Sequence, residues 1–176
     1  LADGYEFTSS TDTEAIAHLI ARSLAKMEAR REEFPPDEPH ALLLAAVQHA
    51  LKKLRGTFGL VILFRDHPDL IVAARQGSPL VVGVGHGEHF VASDASPLAG
   101  RADKIVYLAD HQIALITPDS LEVTHRDQGR IDHLVHDLQI EESDVELGGL
   151  PHYMLKEIFE QPEALENVMR GRLSDD

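Results

Sequence analysis

The sequence contains no cysteine and no tryptophan, and aromatic residues make up only 5% of its 176 residues. Without cysteine, the chain has no disulfide, no thiolate metal ligand and no thiol nucleophile. Lysine and arginine together number 16, against 30 aspartates and glutamates, which gives a formal net charge of −14. Because a phosphate backbone would be repelled by this charge, we expect no nucleic-acid partner.

Long apolar runs are absent as well. No stretch approaches the length of a membrane-spanning helix, and the opening Leu1-Ala2-Asp3-Gly4 has neither the basic nor the apolar segment of a secretion signal. We therefore expect a cytoplasmic protein without membrane association. With 43% hydrophobic and 26% charged residues, the composition is that of a single globular domain. Since the sequence opens with Leu1 rather than Met, we expect a further part upstream.

The hydrophobic pattern predicts two helices, then strands, then a last helix. Thr11-Asp12-Thr13-Glu14 fits a capping box, with Thr11 accepting from the third helical amide and Glu14 reaching back. Apolar residues then recur at three- and four-residue steps as far as about Ala29. A proline-rich loop over residues 30–40 precedes a second helix, which we expect Gly56 to end. The last helix is predicted to follow Pro151, after an acidic connection at 141–146.

Short segments rich in Val, Ile and Leu, separated by Gly, Asp or Pro, predict the strands. The first is almost continuously apolar, so we expect a central strand that is covered on both faces. The short intervals predict an antiparallel meander, and helices followed by strands indicate an α+β fold. The predicted strands cover residues 58–64, 70–74, 80–84, 89–92, 104–108, 112–116 and 121–125.

Two local patterns suggest ligand sites, but each has a simpler explanation. Gly83-Val84-Gly85-His86-Gly87 could cradle a phosphate, yet a strand follows it rather than the helix that such a loop needs, so a hairpin turn is favoured. His86 with His89, and His133 with His136, are spaced by three residues, which places them on opposite faces of a strand. We therefore expect solvated histidines and no metal site.

Asp12 allows two interpretations, whereas a turn is sufficient to explain the segment 75–80. A carboxylate in the first turn of a helix is stabilised by the helix dipole and can still receive a cationic group of a ligand; a capping role alone remains the alternative for Asp12. The segment Arg75-Gln76-Gly77-Ser78-Pro79-Leu80 fits a tight turn in which Gly77 takes a positive φ.

Three stretches, in this order along the chain, resemble the glucosamine-6-phosphate synthase family, the isomerizing glutamine–fructose-6-phosphate aminotransferases. The stretches are Ser10-Thr11-Asp12-Thr13-Glu14 with Ile16-Ala17-His18-Leu19, then Ala74 through Leu80, then His152 through Pro162. The last is the most specific, since it resembles the junction between the glutaminase and isomerase domains of that family. Phe159 stands where a Tyr is usual.

The resemblance implies an N-terminal-nucleophile hydrolase fold, an αββα sandwich, of which this chain is the incomplete second portion. In the family, an amino-terminal cysteine attacks glutamine, and an Asn and a Gly stabilise the oxyanion. None of these positions lies in this chain, so no catalytic residue is assigned to it. Asp12 matches the carboxylate that holds the α-amino group of glutamine, with Thr11 and Thr13 beside it. No cofactor or metal is implied.

The resemblance also implies a division of the chain and a set of partners. Residues 1–150 would be the C-terminal portion of the amidotransferase domain, and residues 151–176 a linker toward sugar-isomerase domains that convert fructose 6-phosphate to glucosamine 6-phosphate. The expected partners are L-glutamine, the missing parts of the enzyme and further copies in a homo-oligomer. A non-catalytic interaction or regulatory module with this fold is the alternative, and a Met directly before Leu1 would favour it.

Overall fold

The computed structural model describes residues 4–138 and 147–169, so the acidic connection predicted at 141–146 lies outside the described residues. Two helices, α1 (Asp12–Glu28) and α2 (Ala41–Leu51), precede the strands, and α3 (Tyr153–Met169) follows them. None of the described helices is long and apolar enough to cross a membrane. The strands are β1 (Phe58–Phe64), β2 (His67–Gln76), β3 (Val81–Val84), β4 (His89–Ala92), β5 (Lys104–Tyr107), β6 (Gln112–Ile116), β7 (Leu121–His125), β8 (Gly129–Arg130) and β9 (His136–Asp137).

Both predicted N-terminal helices are present, but the prediction that Gly56 ends α2 is wrong. The helix ends at Leu51 with Lys52 as its C-cap. The amides of Lys53 and Leu54 donate to the carbonyls of Ala50 and Leu51, at 2.9 and 3.1 Å, so the last turn tightens and satisfies carbonyls that a glycine cap would otherwise serve. Gly56, with φ +97°, lies in the turn that enters β1.

The strands form two antiparallel sheets rather than one meander. The five-stranded sheet has the order β1-β2-β6-β7-β8, and the four-stranded sheet has the order β4-β3-β5-β9. The chain crosses between the sheets after β2, β5 and β8, so β2 pairs with β6 and not with the strand that follows it. The meander prediction is therefore wrong, because two sheets packed face to face bury apolar faces that one sheet would leave in water.

Three apolar clusters hold these layers together. The first lies between the helices and the five-stranded sheet and includes Val47, Leu70 and Val72. The second lies between the two sheets, where Val82 and Val106 of one sheet meet Ala73, Ala114 and Val123 of the other. The third covers the outer face of the four-stranded sheet with a short 3₁₀ turn at Ser96–Leu98. The predicted α+β layering is confirmed.

Strand β1 lies at an edge of its sheet, so the prediction of a central strand is wrong. Its alternate residues Phe58, Leu60, Ile62 and Phe64 pack on the helical side. On the opposite face, Val61 is 50% exposed and Leu63 is 71% exposed, because the four-stranded sheet does not reach over them in the described residues. A continuous apolar run here indicates one buried face and one uncovered apolar face at an edge.

We predict that the 176-residue chain self-associates through this uncovered face, since an apolar edge strand is a template for pairing with another chain. Leu63→Lys should shift the chain toward monomer in sedimentation velocity, with a change in unfolding free energy within about 0.5 kcal/mol. Gln128→Lys, which also adds one positive charge and lies at an exposed turn between β7 and β8, is the control. A wild-type chain that is already monomeric would contradict the prediction.

Candidate functional site

Asp12, the predicted ligand residue, is the first residue of α1 and is exposed. Thr11 before it has an extended backbone, with φ −87° and ψ 145°. Among residues 4–138 and 147–169, the Asp12 carboxylate has no hydrogen-bond or ion-pair partner. A carboxylate at the positive end of a helix dipole, not engaged by the protein, is able to receive a cationic ligand group. Its binding role stays a prediction.

The predicted capping box is not formed. Thr11 makes no side-chain cap hydrogen bond, and Glu14 binds residues further upstream. The Glu14 carboxylate accepts from the amide of Thr8 at 2.8 Å and its hydroxyl at 3.1 Å, and from the amide of Ser9 at 2.7 Å and its hydroxyl at 2.5 Å. Residues 8 and 9 fold back along the helix. Their donors, and not the amide of Thr11, therefore lie within hydrogen-bonding distance of the Glu14 carboxylate.

These hydrogen bonds lower the pKa of Glu14 to about 2, the hydroxyl of Ser9 being the largest cause and the amide of Thr8 the next. Hydrogen bonds that are donated to a carboxylate favour its charged form. As the pH falls below about 4.5, Glu14 becomes protonated in the unfolded chain, whereas in the folded chain it stays ionised until about pH 2. The stabilising contribution of Glu14 is therefore present above about pH 4.5 and is lost as the pH falls through the pKa of Glu14 in the folded chain, about 2.

We expect Glu14→Gln to have a lower unfolding free energy than wild type at neutral pH. This gap in unfolding free energy should close between about pH 4.5 and pH 2, because glutamine does not titrate. Urea unfolding midpoints of the two chains across this range measure the gap. A gap of the same size at pH 3 and pH 7 would show that the charge of Glu14 contributes nothing.

His18 lies one turn after Glu14 and completes this arrangement. Its Nε2 is 3.5 Å from Oε1 of Glu14, and its ring lies 4.8 Å from that of Tyr5 and 4.9 Å from that of Phe7, centroid to centroid. The side chains of Glu14 and His18 are 15% and 26% exposed. The segment from Tyr5 to Ser9 is thus held against the first two turns of α1.

Helix α1 lines a cleft from its second turn onward. Five of its residues, from Ala17 to Glu28, face a space of about 380 Å³ together with Phe64 and His67, at the hairpin between β1 and β2. Asp12 is not among the residues that line this cleft.

A polar network fixes the end of β2 and the residues that follow it. The carboxylate of Asp110 accepts from the amide of Gly77 at 2.8 Å and lies 3.5 Å from Nε of Arg75. Arg75 also donates to the carbonyl of Leu108, and the amide of His111 donates to the carbonyl of Arg75 at 2.9 Å. The segment 75–80, predicted as a local turn, is thus a crossover between the sheets that Asp110 fixes.

No sequence motif marks this network. Its partners are 33 residues apart, and neither Asp110 nor His111 stands in a motif. His111 also has φ +67°, which is uncommon for a residue with a side chain. Gly77 does have the predicted positive φ, at +75°, so the local part of the prediction for this turn is confirmed.

The glycine-rich segment lies in the four-stranded sheet, and His86 and His89 lie at its β3–β4 turn. Residues 85–88 form the hairpin turn between β3 and β4, as predicted, with the amide of Gly85 donating to the carbonyl of Glu88 at 3.0 Å. The side chain of His86 is 95% exposed, with Nδ1 3.1 Å from Asp103, whereas Nδ1 of His89 is buried. Within the described part of the chain, no three His, Asp or Glu side chains are grouped as metal ligands.

The fold is similar to that of a solved amidotransferase. The glutamine phosphoribosylpyrophosphate amidotransferase of B. subtilis, determined with ADP and GMP, superposes with a TM-score of 0.54 at 20% identity, over 73% of this chain and 25% of that one. The chain therefore has the N-terminal-nucleophile hydrolase fold of that amidotransferase, as the resemblance implied.

Sequence comparison with curated proteins identifies relatives more specifically than the fold does. This chain is 41% identical to the isomerizing glutamine–fructose-6-phosphate aminotransferase of Chlorobaculum tepidum, and 42% and 39% identical to those of Bacteroides thetaiotaomicron and Thermotoga maritima. Each comparison covers 98% of this chain and 26% of the relative. No family model matches the chain. Its homologues at about 40% identity are thus isomerizing glutamine–fructose-6-phosphate aminotransferases, of which it matches a fragment, and the resemblance of the three stretches is confirmed.

Proposed function

We propose that this chain is part of the glutaminase domain of an isomerizing glutamine–fructose-6-phosphate aminotransferase, and that Asp12 binds the α-ammonium of L-glutamine. The observation that carries the proposal is the exposed Asp12 carboxylate, without a partner in the described residues, at the positive end of α1. An ammonium held there orients the side-chain amide of glutamine toward the nucleophile. Hydrolysis then releases ammonia for the conversion of fructose 6-phosphate to glucosamine 6-phosphate.

The nucleophile of this reaction has to come from outside the chain, which contains no cysteine. The chain spans about a quarter of the length of the relatives that it matches, so most of their length has no counterpart here. We propose that a thiol in another part of the protein attacks glutamine, and that the whole enzyme acts in the cytoplasm as a homo-oligomer. The uncovered face of β1 is where we place the rest of the domain.

We further propose that residues 1–150 complete the amidotransferase domain and that residues 151–176 lead toward the isomerase domains. Helix α3 supports this division, because five of its large apolar side chains are exposed to water. Met154 and Phe159 are 69% and 68% exposed, and Tyr153, Ile158 and Leu165 are each more than half exposed. An amphipathic helix with this exposure is expected to pack on another domain.

The full-length gene product that contains this chain tests the proposal. It should form glucosamine 6-phosphate from fructose 6-phosphate and glutamine, and a thiol-alkylating reagent should abolish its glutaminase activity. The 176-residue chain alone should release no ammonia from glutamine. Glutamine hydrolysis by that chain, or alkylation-resistant hydrolysis by the full-length protein, would contradict the proposal.

A further inference from the structure

Glu14 is engaged far more than a helix cap requires. It accepts four hydrogen bonds, all from Thr8 and Ser9, whereas the amide of Thr11 donates to the hydroxyl of Ser9 instead. The bonds therefore do little for the orphan amides of α1 and instead fix the course of the segment that leads into the helix. Nε2 of His18 is buried and lies 3.5 Å from the same carboxylate, without a hydrogen-bond partner in the described residues.

Ser9 links this fixed carboxylate to the residue before Asp12. Its hydroxyl lies 2.5 Å from Glu14, 3.0 Å from the hydroxyl of Thr11, and accepts from the amide of Thr11 at 3.3 Å. Thr11 precedes Asp12 directly, and its extended backbone sets where the helix begins. The contacts run without interruption from His18 through Glu14, Ser9 and Thr11 to Asp12.

From this geometry we propose that Glu14, bound to Thr8 and Ser9, is a positioning residue that holds Asp12 in place for the ammonium of the substrate. The inference depends on the binding role proposed for Asp12. The Asp12 carboxylate has no hydrogen-bond or ion-pair partner in the described residues. Its position is therefore fixed by the backbone at the start of α1. Glu14 itself does not touch the substrate.

A residue that acts only through Asp12 has a measurable signature. In the full-length enzyme, Glu14→Gln should raise the KM for glutamine roughly three- to tenfold, because small misplacements of binding groups are costly. The value of kcat should stay within about twofold, since uniform binding is lost rather than transition-state stabilisation. In an Asp12→Asn background, the same change should have no further effect on KM.

Two further variants make the test decisive. Glu28→Gln removes a carboxylate at the other end of α1, which is 49% exposed beside Arg31, and should leave KM unchanged. Ser9→Ala removes the link between Glu14 and Thr11 at an exposed position. It should raise KM in the same direction as Glu14→Gln, so the proposal can be tested even if the Glu14 variant folds poorly.

The outcomes separate this inference from the proposed function. If Asp12→Asn raises KM while Glu14→Gln and Ser9→Ala do not, the positioning role is overturned and glutamine binding by Asp12 stands. An equal effect of Glu14→Gln with and without Asp12 would also overturn it, because that result describes a general loss of structure. If Asp12→Asn leaves KM unchanged, both the binding role and the positioning role fail.

Discussion

Asp12→Asn in the full-length enzyme is expected to raise the KM for glutamine about ten- to a hundredfold with little change in kcat. A hydrogen bond to a charged group contributes about 1.5–3 kcal/mol, and each 1.36 kcal/mol corresponds to a factor of ten. Asparagine keeps the size and hydrogen-bonding oxygen of the side chain but removes the charge that the ammonium requires. Because the ammonium is bound before and during the reaction, the loss should fall on KM.

Steady-state kinetics with glutamine, and with an analogue that lacks the α-amino group, measure this effect. The analogue should be used equally poorly by wild type and by Asp12→Asn, since it has no ammonium to lose. Asp119→Asn removes the same charge from an exposed turn between β6 and β7 and serves as the control. A KM for glutamine that does not move in Asp12→Asn would remove Asp12 from the site.

Gly77→Ala is expected to destabilise the chain by about 2–4 kcal/mol. The positive φ of +75° costs a residue with a Cβ about 1 kcal/mol. A Cβ at this position would also lie 2.4 Å from Cγ2 and 2.9 Å from Cβ of Thr57, and overpacking of this kind costs about 1–3 kcal/mol. The shift that relieves the overlap would strain the hydrogen bond from Gly77 to Asp110.

Gly87→Ala is the matched control for this prediction. Gly87 has φ +72°, but a Cβ there would meet nothing within 4 Å, so only the backbone cost of about 1 kcal/mol should appear. Thr57→Ala combined with Gly77→Ala removes the closest contact and should recover part of the loss. Urea unfolding of the four chains gives the free energies, and equal values for Gly77→Ala and Gly87→Ala would refute the role of Thr57.

Local sequence patterns predicted the elements well where the period was clear. β4, β6 and β7 have the predicted bounds, and α1 ends within a residue of its predicted end. Errors occurred where a partner outside the local window decides the result. β2 begins at His67 rather than at residue 70, because a register shift opposite Phe64 accommodates Pro68 in the strand. The capping box failed because the folded-back segment competes for Glu14.

The position of β1 in its sheet is a similar case. An apolar run predicts a strand, but the strands that pair with it depend on the topology of its own sheet, and the covering of its outer face depends on how far the second sheet extends. Leu63 carries the same apolar side chain whether a layer covers it or not. The network around Asp110 could not be predicted from the sequence either, since no spacing rule relates a turn residue to an amide 33 positions away.

The sequence by itself determined the absence of a thiol nucleophile, the α+β class, the relationship to an aminotransferase segment and the candidacy of Asp12, because composition and motifs are local properties of the chain. Only the tertiary structure decided how the segment before Asp12 is held and how the crossover after β2 is fixed. Glu14 bonds to Thr8 and Ser9 instead of capping, and Asp110 fixes Gly77, because the folded chain brings donors and acceptors together regardless of their spacing.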